Sequence, residues 1–293
     1  MPPNKTMSAQ NAVPISARKK VSSIFTHAAL LLGVLLFAMP LYGLIVTALK
    51  SDAQVQDVAT LSRMLIPSPV KWSNFAEVIR RIPFVQYFAN SLTLVLLNVA
   101  GVCLVCPLVA YGFARFRWPG RDVVFFILLS TMMIPPQVTM VPVYLIFSEL
   151  GWVNTFKPLW VPAWFGVPFF IFLLRQFFLG VPKELDEAAM IDGAGSLRTY
   201  WSIVLPQIRP AIIAIMLFQG VGSWNDFMGP LIYIHSIPKM PLALGIQSFM
   251  MNHGSEWPLL FAAVTMMTLP IIILFFLTQR FFVEGITLTG LKQ

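Results

Sequence analysis

Four acidic side chains, Glu184, Asp186, Glu187 and Asp192, crowd into nine residues of a 293-residue chain that holds only 12 acids. They lie in the segment 180–210, GVPKELDEAAMIDGAGSLRTYWSIVLPQIRP. Pro182 suits a first helical turn, and carboxylates just after it favour a helix N-terminus. Leu185, Ala188 and Ala189 then share one face at i, i+3 and i+4. Gly193 and Gly195 are natural helix stops. Ser196 can cap a second helix, along which Leu197, Tyr200, Trp201 and Val204 repeat as an amphipathic stripe until Pro206. The spacing predicts two short helices joined by a Gly-rich turn, with little side-chain bulk at Ala188, Ala189 and Gly193. An acidic first turn and few basic residues disfavour anionic lipid. The pattern fits either two interfacial helices lying on the membrane or a dock for another protein, the dock being the better reading, and no residue is assigned a catalytic role.

A second polar set sits among apolar residues. Asp226 is the ionisable residue placed clearly within an apolar span, where an acid costs about 2.5–3.5 kcal/mol on insertion scales. Beside Trp224 and Asn225, it reads either as a residue of a solute pathway or as the mark of a helix interruption before Gly229-Pro230. Gly220, Gly222 and Gly229-Pro230 make this helix easy to break, which fits a pathway lining. Asn98 and Gln219 are further polar candidates. His27, His235 and His253 are too widely spaced to form a ligand pair, so no metal site is expected. Cys103 and Cys106 lie inside one apolar run and read as small packing residues. No G-x-x-x-x-G-K-[ST] occurs, so the chain shows no phosphate-binding loop for ATP.

Composition dictates the elements that must position these groups. The chain is 57% hydrophobic and 11% charged, against about 25% charged for a soluble domain. That excludes a disordered chain and makes a cytosolic enzyme or secreted scaffold a poor fit. A polytopic membrane protein in a lipid bilayer remains. Charge-free stretches place six apolar helices near 25–48, 88–113, 123–147, 158–178, 210–234 and 258–281. Backbone groups in lipid must be satisfied internally, and strands would alternate polar with apolar, so the fold is all-α. Pro158, Pro162 and Pro168 predict a kinked fourth helix inside the bundle. The apolar stretch Ala28–Val46 exceeds the 7–15 residues of a signal-peptide core, so a retained helix is expected. With the N-terminus inside, 13 Lys+Arg fall on inner segments and 7 on outer ones, which places both termini in the cytoplasm. The net charge of +8 thus reports orientation and gives no reason to expect nucleic acid. The expected organisation is a cytoplasmic tail (1–24), a first transmembrane helix with an outer loop (25–85), a five-helix domain (86–282) containing the polar loop 180–209, and a cytoplasmic C-terminal tail (283–293).

The polar loop also carries a resemblance. Glu187-Ala188-Ala189, three residues, Gly193, nine residues, Ile203, one residue, Leu205-Pro206 resembles the EAA motif of ABC importer permeases at every spaced position. Asp192-Gly193 resembles the variant of the sugar-importer branch. Asn90-Ser91-Leu92, Ala114-Arg115-Phe116 with Pro119-Gly120, Trp224-Asn225-Asp226 and the tail from Gly285 are similar to maltose-type permeases, so the likeness covers about 70–293. It implies a type I ABC importer permease fold in a bacterial inner membrane. It implies an ATPase-coupling role for Glu187, Ala188, Ala189 and Gly193, with ATP and Mg held by two ATP-binding partner subunits. It further implies a second homologous permease, a periplasmic solute-binding protein and a carbohydrate-type substrate. Asn98, Gln219, Trp224, Asn225 and Asp226 become candidates for the substrate pathway, Trp224 as an aromatic face for a sugar ring or as an interface anchor. The alternative is an ion-driven secondary transporter, a class that usually places several charges within its spans.

Overall fold

A computed structural model describes residues 15–57, 61–253 and 256–290. Among these residues every regular element is helical, as the lipid argument requires. α1 (Ile15–Ala48) is apolar and leads into a polar stretch ending at α2 (Ser73–Arg81). α3 (Phe84–Arg115) begins directly after Pro83, carries Pro107 inside, and runs through the whole fold. α4 (Arg121–Ser130) and α5 (Pro136–Glu149) follow. A short helix (Lys157–Trp160) and a 3-10 turn (Val161–Phe165) lead to α6 (Pro168–Gly180). The polar loop holds α7 (Glu184–Ile191) and α8, which opens at Ser196–Thr199, passes through a π-helical turn at Tyr200–Val204 and closes at Leu205–Gln207. α9 (Arg209–Trp224), α10 (Met228–Tyr233), α11 (Leu242–His253) and α12 (Trp257–Gly290) complete the chain.

Among the described residues, four segments are long and apolar enough to cross a membrane: Phe25–Ala48, Phe84–Arg115, Lys157–Gly180 and Trp257–Gln279. The third predicted span, 123–147, is corrected. It consists of Arg121–Met133 and Pro136–Glu149, bent by 100°. Proline at 135 and 136 removes two helical donors and pushes the preceding residue out of the helical region, and Ile134 is accordingly extended. The fifth predicted span, 210–234, stops at Trp224 and resumes at Met228. At its other end α8 meets α9 at 80°. The fourth span is interrupted at Gly166, whose φ of +92° favours glycine. The helices at the ends outrun their predicted bounds, α1 starting at Ile15 and α12 reaching Gly290. Residues 1–14 and 291–293 of the two expected tails lie outside the described residues, as do the side chains of 280–290.

Two apolar cores lie along α3. At its Phe84 end, Ala48, Val78, Phe84, Tyr87, Trp224, Leu242 and Ala262 pack together. At its Arg115 end, Val102, Cys106, Tyr111, Phe170, Leu174, Phe178, Tyr200 and Ile215 do so. Close helix approach needs small residues. A Cβ on Gly101 would lie 2.5 Å from the Trp164 ring, and one on Gly245 would lie 2.2 Å from Tyr87. Polar clasps tie loops to the bundle at the Phe84 end. Asn90 donates to the carbonyls of Pro238 and Met240, and the Leu242 amide donates to Ser91 Oγ. Asn74 donates to the carbonyls of Ala48 and Lys50, 2.8 Å each. By contrast α1, α4 and α5 leave Leu32, Phe37, Val123, Phe126, Val138 and Val141 exposed. A surface that apolar belongs against lipid or another apolar surface.

Candidate functional site

The loop 180–209 is built from the residues upward as two anchored helices. The amides of Asp186 and Glu187 close the first turn of α7 on the Lys183 carbonyl. Its end is a complete Schellman motif: the Ala194 amide donates to Ala189 O (2.9 Å) and the Gly193 amide to Met190 O (3.0 Å). Gly193 supplies the positive φ, +77°, that this closure demands. The stop expected at Gly193 is therefore where the helix ends. Ser196 does not cap α8. Gly195 occupies the cap position, and no side chain bonds there.

The predicted faces of both helices need correction. On α7 the buried residues are Asp186 and Ala189, while Leu185 and Ala188 face outward. On α8 the stripe Leu197, Tyr200, Trp201, Val204 splits. Tyr200 and Val204 are buried with Thr199 and Ile208, whereas Leu197 and Trp201 are exposed, Trp201 by 51%. From Tyr200 on, the wider step of the π turn keeps Tyr200, Val204 and Ile208 inward at four-residue spacing and leaves Trp201 outside, while Leu197, ahead of the turn, is exposed as well. The outcome is a two-faced loop. Inward, Tyr200 packs 5.0 Å from the Tyr111 ring and 6.4 Å from Phe178. Outward stand Glu187, Ala188 and Gly193, flanked by the exposed apolar side chains of Met190, Ile191, Leu197 and Trp201, with Ile191 87% exposed. Of the four residues predicted to couple, Ala189 alone is turned inward.

What fastens this loop escaped the sequence reasoning. Asp186 forms a buried ion pair with Arg115 in the last turn of α3, Nε to Oδ2 3.1 Å, with side chains 6% and 12% exposed. Tyr111 Oη donates to Asp186 Oδ1 at 3.5 Å, and Arg115 Nη2 donates to the Val181 carbonyl at 2.9 Å. Arg115 Nε and Nη1 and Asp186 Oδ2 have no hydrogen-bond partner among the described residues, so the pair is joined by charge and proximity and not by a direct hydrogen bond. A cavity of about 280 Å³ opens beside the pair, lined in part by Arg117, Lys183, Glu187 and Thr199. The available signal was the residue pair itself: an arginine ending one span and an acid two residues before the alanine pair.

The predicted pathway residues are not gathered into one constellation. Asn98 is buried midway along α3, donating to Leu94 O, Leu159 O and Ser223 Oγ at 2.9–3.1 Å. It joins α3 to α9 and to the turn before α6, between the two apolar cores. Trp224 is buried, its indole N–H donating to Met267 O (3.1 Å) and its ring meeting Phe88 edge-on at 5.3 Å. Asn225 is exposed and donates to Val221 O one turn back. Asp226 is half-buried and accepts the Gly229 amide at 3.1 Å, capping the start of α10. Gln219 is half-buried on α9. The helix interruption is thus where Asp226 sits, and its carboxylate satisfies an amide the break would otherwise orphan.

Comparison with known proteins fits this geometry. Residues 104–287, which include the whole polar loop, match the family described as binding-protein-dependent transport system inner membrane component. The chain is 31% identical to the arabinooligosaccharides transport system permease protein AraQ of Halalkalibacterium halodurans, covering 86% of this chain and 90% of that protein. It is 32% identical to the sn-glycerol-3-phosphate transport system permease protein UgpE of Yersinia enterocolitica, covering 90% and 95%. Its fold is shared with a chain from the crystal structure of a bacterial ABC transporter involved in the import of the acidic polysaccharide alginate. The TM-score is 0.77 at 22% identity, covering 93% of this chain and 100% of that one. A matched family region of that extent, together with relatives above 30% identity over most of both chains, means that the chain belongs to the binding-protein-dependent transport system inner membrane component family, as a non-enzymatic ABC transporter permease subunit.

Proposed function

We propose that this permease subunit forms half of a pathway for a sugar or sugar-derived solute, and that the loop 180–209 couples it to ATP-binding partners on the cytoplasmic side. The observation that carries the reading is the two-faced loop. Glu187, Ala188 and Gly193 present small and acidic groups beside the exposed apolar side chains of Met190, Ile191, Leu197 and Trp201. The same helices are sewn inward by Asp186 and Tyr200. Exposed apolar side chains beside an acidic first turn favour a protein cover over anionic lipid, and a helix fixed at its base can transmit a push. Ala189 supports the dock from behind.

In this reading ATP and Mg are bound by two partner subunits. A second permease supplies the other half of the pathway, and with lipid it covers the apolar faces of α1, α4 and α5. A periplasmic binding protein delivers the solute. In this reading the membrane is a bacterial inner membrane, and the excess of basic residues on the loop side supports both termini facing the cytoplasm. The relatives transport arabinooligosaccharides and sn-glycerol-3-phosphate by their names, which favours a carbohydrate-type or glycerol-derived solute here. An ion-driven mechanism finds little footing, since Asp226 is engaged as a helix cap. The test is uptake into vesicles holding the assembled importer, offered radiolabelled arabinooligosaccharides and sn-glycerol-3-phosphate with their binding proteins. Uptake of one of them should stop on ATP depletion and persist with an uncoupler. Uptake that survives ATP depletion and collapses with the uncoupler contradicts the proposal.

A further inference from the structure

The four acids of the loop are not equivalent. Glu184, Glu187 and Asp192 face outward. Asp186 points the other way, into a cleft between α7 and the last turn of α3, where it meets Arg115 at 3.1 Å with both side chains about nine-tenths buried. Removing two charges from water is costly, and the pair gains from it only through close geometry and added hydrogen bonds. Tyr111 and the Val181 carbonyl supply two such contacts, both from residues that flank the same cleft. Loss of either charge leaves the other buried and uncompensated. Sliding α7 along α3 would do the same. Packing alone would let two helices shear by small steps. A buried ion pair resists that motion, because every displaced position is penalised.

We infer that the Arg115–Asp186 pair is a strut that makes α7 and α3 one rigid body, so that a displacement of the docked loop is delivered to α3. Arg115 and Asp186 are positioning residues in this scheme and touch no solute. The inference rests on the docking proposed above and adds the route by which force enters the bundle. α3 is well placed to receive it. It runs from Arg115 through Asn98, the polar junction with α9, to the Tyr87–Gly245 contact at its far end.

The test needs no knowledge of the solute. In the assembled importer, with Cys103→Ala and Cys106→Ala to clear the native thiols, spin labels are placed at Glu184→Cys on α7 and Val85→Cys at the far end of α3. Both native side chains are exposed. The label-to-label distance is measured without nucleotide and after trapping with ATP and vanadate. The strut predicts a distance constant within about 1 Å in the otherwise native chain, and a shift of about 2 Å or more in the double variant Asp186→Asn/Arg115→Gln. The double variant keeps the shape of residue 186, leaves a shorter polar side chain at 115 and strands no charge, so it can fold where a single variant fails. Asp186→Glu, which retains the charge, should behave as native. If the double variant holds the native distance in both states, the pair only packs and the inference is overturned. A distance that already changes in the native chain overturns it equally. Failure of the docking reading has a different signature: ATP-binding subunits that co-purify undiminished with an Ile191→Asp chain.

Discussion

The two ends of α3 use polar residues in opposite ways. At and beyond its middle, towards Phe84, the polar groups of Asn98, Trp224 and Asp226 are spent inside the fold, each on a backbone carbonyl or amide of a neighbouring segment. At the Arg115 end, one acid is buried to anchor a loop, and the other acids of that loop face out among uncovered apolar side chains. The first arrangement makes a helix bundle self-sufficient despite its breaks. The second makes sense only for a surface that meets something else. A polar residue in a span is therefore poor evidence of a pathway until its partners are known. An apolar residue in a polar loop is good evidence of a dock.

The comparison can be broken by substitution, and the largest effect belongs to the anchor. Asp186→Ala strands the Arg115 guanidinium and should cost about 3–5 kcal/mol, seen as a lowered thermal midpoint and poor yield from the membrane. Next comes Asn98→Leu, which leaves buried carbonyls and Ser223 without their donor. A loss of about 1–3 kcal/mol is expected, measured by unfolding in mixed micelles; an unchanged midpoint would argue that Asn98 is free for solute. Gly193→Val meets no neighbour within 4 Å, so its penalty is the backbone strain of a positive φ alone, about 1–2 kcal/mol. Gly193→Asn should recover part of that. Should Gly193→Asn fold like native yet lose the ATP-binding subunits, the glycine is a contact as well as a turn. Trp224→Phe keeps most of the packing and loses one hydrogen bond, about 1 kcal/mol. A selective loss of solute binding by the assembled importer, without any stability change, would support a place for Trp224 in the pathway.

Much of the fold could be read from residue order, for reasons that are local. Span-length apolar runs force helices because lipid offers no other partner for the backbone. Gly193 ends α7 because the Schellman closure needs a residue tolerant of positive φ. What could not be read depends on distant pairing or on departures from ideal geometry. Tyr111 and Asp186 lie 75 residues apart, and nothing in the local pattern says that this acid, of four, turns inward. The π turn at Tyr200–Val204 was hidden because the stripe was drawn on an α-helical period. The 123–147 span reads as one helix because its run is free of charge, and Pro135-Pro136 in its middle makes the 100° bend. Asp226 supported two readings equally, since a capping acid and a pathway acid have the same residue type in sequence.

The smallest expected effect on stability carries the greatest weight for function. Ile191 is 87% exposed at the end of α7, so Ile191→Asp should change stability by no more than about 0.5 kcal/mol. The decisive measurement is co-purification of the ATP-binding subunits with this variant, alongside its thermal midpoint. The account predicts a native midpoint with the ATP-binding subunits lost or strongly reduced. A native midpoint with those subunits retained in full would contradict it.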